Sequence, residues 1–236
     1  MTKVQWTPWA WAGAGCVALY AVHAVVPLTA AGWTAGLAYL VVSSLLLSRA
    51  LGRHGATWFG PANAVTALRS TLVGVVTAMV VASLGGSSAT LLFVTVTSVA
   101  LALDAVDGYV ARTTGTTTEL GARFDMEVDA FLLLALCVYD VRFVGWWVLA
   151  IGLMRYAFVV IGWMLPWMRA SLPPRYWRKV VTAVCGIALT LVAARLLPLA
   201  LDLAVVGAAL ALLVESFGRD VVWLVRARRS SAVVAE

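Results

Sequence analysis

Asp104, Asp107, Asp125, Glu127 and Asp129 are acidic residues set within stretches that otherwise read as apolar helix. Spacings of three and four residues bring helical side chains onto one face. Asp104, Asp107 and Ala111 therefore share a face, as do Gly121, Asp125 and Asp129, while Glu127 points elsewhere. If the connection between the two helices folds back as a hairpin, both aspartate pairs converge on one cleft. Like charges brought that close raise each other's pKa values unless cations intervene, and oxygen-only ligands suit hard cations such as Mg2+ or Mn2+. Gly108 and Gly121 leave the backbone open to a ligand, Arg112 offers a fork suited to phosphate, and Thr114 to Thr118 add hydroxyls. Carboxylates for metal, metal for phosphate and arginine for the remaining charge describe phosphoryl transfer. The alternative is that the aspartates form interhelical salt bridges with Arg112, Arg123 or Arg69. All four at this spacing favour the metal reading.

The elements that must carry these acids are membrane helices. The chain has 236 residues, 63% hydrophobic and 12% charged, and a mean hydropathy of +0.96, which a soluble domain of ordinary composition does not approach. A span needs roughly 20 apolar residues, and about eight can be placed, near 9–28, 31–48, 61–84, 89–109, 120–140, 143–166, 180–197 and 199–224. The expected fold is all-α, a polytopic transmembrane bundle. An ionised carboxylate at mid-bilayer costs about 2.5 to 3.5 kcal/mol on insertion scales, so acids at these positions call for a functional explanation.

The net charge of +6 follows from topology rather than nucleic-acid binding. With Lys3 cytoplasmic, the inner loops and tails hold Arg49, Arg53, Arg112, Arg169, Arg175, Arg178, Lys179 and the Arg226 to Arg229 run, whereas Arg142 and Arg195 fall outside. Breaks between spans carry Pro27, Gly60-Pro61, Gly85-Gly86-Ser87-Ser88, Pro173-Pro174 and Pro198, and residues 56–60 read as a short interfacial segment. Cys16, Cys137 and Cys185 lack metal or disulfide spacing and read as small packing residues. His23 and His54 fall far from the cleft.

Read in full, residues 104–129 spell D-x2-D-G-x2-A-R-x8-G-x3-D-x3-D, filled by Asp104, Asp107, Gly108, Ala111, Arg112, Gly121, Asp125 and Asp129. This pattern resembles the signature of the CDP-alcohol phosphotransferases (CDP-alcohol phosphatidyltransferases), integral membrane enzymes of phospholipid synthesis. Upstream, Pro61 to Arg69 is similar to the family's P-N-x-x-T-x-x-R helix start, with one residue inserted after the proline. The resemblance implies that Asp104, Asp107, Asp125 and Asp129 bind two metal ions, and that Asp129 also deprotonates the acceptor hydroxyl. It implies that Asn63, Ala64, Val65, Thr66, Gly108, Arg112 and Thr118 hold the cytidine diphosphate. The donor would be a CDP-linked lipid and the acceptor a small polar alcohol, with CMP released. A six-helix core over 57–228 is implied, preceded by two additional helices in 1–56 and followed by a cytoplasmic tail, 229–236. The site would face the cytoplasm from the cell (inner or plasma) membrane, and a homodimer is compatible.

An acceptor carrying its own phosphate would need further cations, for which Arg155, Arg175, Arg178 and Lys179 are candidates. A divalent-cation transporter is the competing reading. Transport needs a polar path through both leaflets, and the outer halves of the acid-bearing spans offer mainly Val, Ala, Leu and Thr, which argues for a one-sided cleft.

Overall fold

The computed structural model describes residues 3–55, 58–86, 89–114, 118–169 and 176–233. Among them all regular structure is helical. The α-helices are α1 (Thr7–Val25), α2 (Ala30–Arg53), α3 (Pro61–Leu84), α4 (Thr90–Thr114), α5 (Glu119–Val144), α6 (Leu149–Met164), α7 (Tyr176–Ala194) and α8 (Leu199–Val233), with three short 3-10 turns. Among the described residues five stretches, Ala30–Arg53, Asn63–Leu84, Trp146–Met164, Tyr176–Ala194 and Leu199–Arg228, are long and apolar enough to cross a membrane. The protein is thus an all-helical, multi-pass membrane protein. α5 falls short on composition because Glu119, Arg123, Asp125, Glu127, Asp129, Asp140 and Arg142 all lie on it. Within α4 the apolar stretch is Thr90–Val106.

The helix starts follow local chemistry. Thr29 caps α2, its hydroxyl accepting from the Gly32 amide at 3.1 Å, and Pro61 occupies the first turn of α3, where its missing N–H costs nothing. Gly86 and Gly145 take left-handed φ values of 91° and 95° in the turns that follow α3 and α5. His23 closes the α1–α2 turn, because its Nδ1 accepts from the Leu28 amide at 3.0 Å and from Trp33 Nε1 at 3.4 Å.

The chain divides into two compact units, Met1–Ala135 and Leu136–Glu236. In the first, α3 is the inner helix. Two thirds of its apolar window (67%) is buried, against 28% for α2, and it packs against α1, α2 and α4. Close approach to α2 depends on small residues, as at membrane helix interfaces generally. A Cβ on Gly36 would sit 2.9 Å from the Ala78 Cβ and 3.2 Å from the Gly74 carbonyl oxygen. Gly36→Val is therefore expected to cost about 1 to 3 kcal/mol through overpacking, seen as a lower unfolding midpoint in detergent. An unchanged midpoint would contradict this packing.

In the second unit α7 lies along α8, burying Val181, Cys185, Leu189 and Val192 with Val206, Ala209 and Leu213. Cys137 and Cys185 are buried packing residues, whereas Cys16 is exposed. α8 continues to Val233 as 35 residues, about 52 Å at 1.5 Å per residue and longer than the roughly 30 Å hydrocarbon layer. The basic run at its end is thus helical through Arg229, and Arg228 stacks over Trp167 at 5.4 Å. Arg178 pairs with Asp220 at 3.6 Å beside a cleft of about 670 Å³ that Trp177, Arg219 and Arg226 also line. Arg155 lies half-buried in the middle of α6. Arg175 lies outside the described residues.

Candidate active site

α3, α4 and α5 bring their charged residues to one place. Asp104 comes from α4, Asp125 and Asp129 from successive turns of α5, and one oxygen of each lies within 4.8 Å of the others. Arg69 of α3 points into this group. Its Nη1 donates to Asp104 Oδ1 at 2.6 Å, and its Nη2 donates to Asp125 Oδ1 at 2.5 Å and Asp129 Oδ1 at 2.8 Å. Nη2 also reaches the Asp125 carbonyl oxygen at 3.2 Å.

The convergence expected from helix periodicity holds for these three acids. The salt-bridge alternative holds too, because Arg69 is their shared partner. Asp107, Gly108 and Arg112 fall on α4, but their side chains lie outside the described residues, as do residues 115–117.

Whether a divalent ion suits this group can be read from its two sides. Arg69 is fully buried, whereas the side chains of Asp104, Asp125 and Asp129 keep 42%, 25% and 26% of their surface exposed. The guanidinium thus stands on the buried side of the carboxylates, bonded to Oδ1 of each, and leaves part of their surface exposed. One guanidinium and three carboxylates sum to a formal charge of −2, which a dication would balance. Oxygen donors at this separation suit a hard cation, so the residues present fit a metal.

A second group from the motif assembles at the start of α5. Thr118 caps the helix, its hydroxyl accepting from the Gly121 amide at 3.0 Å. Asn63, in the first turn of α3, lies so close to Gly121 that an added Cβ would stand 2.6 Å from its Oδ1 and 2.9 Å from Thr118 Oγ1. Gly121 is therefore required here by close approach. Ala64 and Val65 are partly buried and Thr66 is buried, all on the turn of α3 that leads up to Arg69.

The model for the CDP-alcohol phosphatidyltransferase family matches residues 59–216, about two thirds of the chain. The chain belongs to this family. No curated protein and no solved structure matches it. A CDP-alcohol phosphatidyltransferase transfers a substituted phosphate group from a CDP-alcohol to an alcohol acceptor, and among the described residues Asp104, Asp125 and Asp129 form a group that could hold a metal. The matched region begins just before α3, so it includes Asn63, Thr66 and Arg69 with the acids they adjoin.

The sequence offered Arg69 as one of three possible partners of the acids, without showing that it joins three of them at once. Its position in a strongly apolar helix was the available signal, since an arginine inside a span needs polar partners.

Proposed function

We propose that this protein transfers a phosphatidyl-type group from a CDP-linked lipid to a small polar alcohol, releasing CMP, at the cytoplasmic face of the cell membrane. The observation that supports it most is the meeting of Asp104, Asp125 and Asp129 from two helices within 4.8 Å, in a chain of this family. In this reading residues 57–228 form the catalytic core, with 1–56 as two additional helices and 229–236 as a tail.

Asp104, Asp107, Asp125 and Asp129 would hold two Mg2+ or Mn2+ ions. Bound there, the ions supply Lewis-acid polarisation of the phosphoryl oxygens and charge neutralisation at the leaving phosphate. Asn63, Ala64, Val65, Thr66, Gly108, Arg112 and Thr118 hold the cytidine diphosphate, with Gly121 keeping the backbone of α5 close to Asn63. Asp129 takes the proton of the acceptor hydroxyl. That oxygen forms a bond to the phosphorus next to the lipid, the bond from this phosphorus to the CMP oxygen breaks, and CMP leaves with the electron pair. Arg155, Arg175, Arg178 and Lys179 would supply the charge that a phosphorylated acceptor requires.

The test is an assay of purified protein with CDP-diacylglycerol, a panel of plain and phosphorylated alcohols, and Mg2+ or Mn2+. Metal-dependent CMP release coupled to one new lipid headgroup is expected. Uptake of metal into proteoliposomes with no CMP formed from any pair of substrates would overturn the reading in favour of transport.

A further inference from the structure

Three carboxylates within 4.8 Å of one another repel strongly unless a positive charge joins them. Arg69 supplies one from inside the helix bundle. We propose that Arg69 is the internal counter-cation of the acid cluster, a positioning residue that fixes Asp104, Asp125 and Asp129 for a divalent ion. The inference rests on the metal reading above.

The geometry divides the guanidinium between helices. Nη1 serves Asp104 of α4, and Nη2 serves Asp125 and Asp129 of α5. All three bonds end on Oδ1, so a single planar group sets the orientation of three carboxylates at once. The added bond from Nη2 to the Asp125 carbonyl oxygen ties α3 to the backbone of α5. Arg69 Nε is buried and has no hydrogen-bond partner, so the acids and this carbonyl are what hold the polar end in place. Arg69 is fully buried while the acids retain exposed surface, which puts it on the side away from an arriving ion.

Two consequences separate this role from that of an ordinary core arginine. Without metal, Arg69 is a buried positive charge bonded to all three acids, so its loss increases their repulsion. With metal, a dication can take over much of that neutralisation. A lysine keeps the charge but not the fork, and one ammonium cannot orient carboxylates on two helices in the same way.

The experiment is thermal unfolding in detergent, with EDTA and with Mn2+, together with calorimetric titration of Mn2+. Wild type, Arg69→Met, Arg69→Lys and the double variant Arg69→Met/Asp104→Asn are compared. In EDTA, Arg69→Met should unfold about 10 °C below wild type, and Mn2+ should return more than half of that loss. The double variant should regain part of it in EDTA, because one repelling charge is gone. Arg69→Lys should keep most of the EDTA stability and bind Mn2+ about tenfold more weakly. Equal losses with and without Mn2+, and no regain in the double variant, would overturn the proposal. If Arg69→Met cannot be obtained folded, the double variant decides: a folded double variant supports the counter-cation role and an unfolded one contradicts it. Wild type whose unfolding and calorimetry ignore Mn2+ would sink the metal reading itself, whereas wild type that binds Mn2+ beside unresponsive variants would sink only the role of Arg69.

Discussion

Asp129→Asn is expected to lower the rate of CMP release by about a thousandfold, the range lost when a positioned general base is removed, while the protein stays folded. The amide has nearly the shape of the carboxylate, and its oxygen can still accept the Arg69 bond that Asp129 Oδ1 accepts at 2.8 Å. What disappears is one negative charge of the cluster and, in the proposed mechanism, the basicity that takes the acceptor proton. The loss should appear in kcat at saturating donor, acceptor and metal, with an unfolding midpoint close to that of wild type. A rate within tenfold of wild type would remove Asp129 from the role of base.

The second large effect concerns metal demand. In the proposed metal site Asp104→Asn and Asp125→Asn would each delete a ligand charge, and each should raise the Mg2+ or Mn2+ concentration for half-maximal activity by at least about a hundredfold, the upper range seen even for outer-shell partners. Excess metal should restore part of the rate, because the remaining carboxylates still converge. Glu127→Gln is the control. It is exposed and sits on a different side of α5 from Asp125 and Asp129, so its metal dependence should match wild type. An equal shift in all three variants would mean that bulk surface charge, not this cluster, sets the requirement.

The acids were legible because helix periodicity is local: residues four apart on α5 share a face whatever surrounds them. That is why Asp125 and Asp129 arrive together, whereas the seat of Gly121 against Asn63 needs α3 and α5 to meet. The place of Arg69 was not legible in the same way. The chain offers Arg69, Arg112 and Arg123 near the acids, and it is the packing of α3 inside its unit, with two thirds of its window buried, that brings Arg69 to them. Helix ends were readable to within a turn or so where a proline or glycine marks them, as at Pro61 and Gly85. The end of α8 was not: the apolar pattern stops near 224, whereas the helix continues through the basic run to Val233, with Arg228 over Trp167. His23 reads as a spare histidine in an apolar stretch, and its work as an acceptor for Leu28 and Trp33 depends on how the chain turns after Val26.

Whether cations bind among these carboxylates can be decided by locating manganese through anomalous X-ray scattering from crystals grown with Mn2+ and a CDP-linked lipid. Two peaks are expected on the solvent side of the cluster, within bonding distance of oxygens from Asp104, Asp125 and Asp129, with Arg69 still behind them. Crystals of active enzyme with no manganese there, and Arg69 as the one cation among those carboxylates, would contradict a metal-dependent transfer at this site.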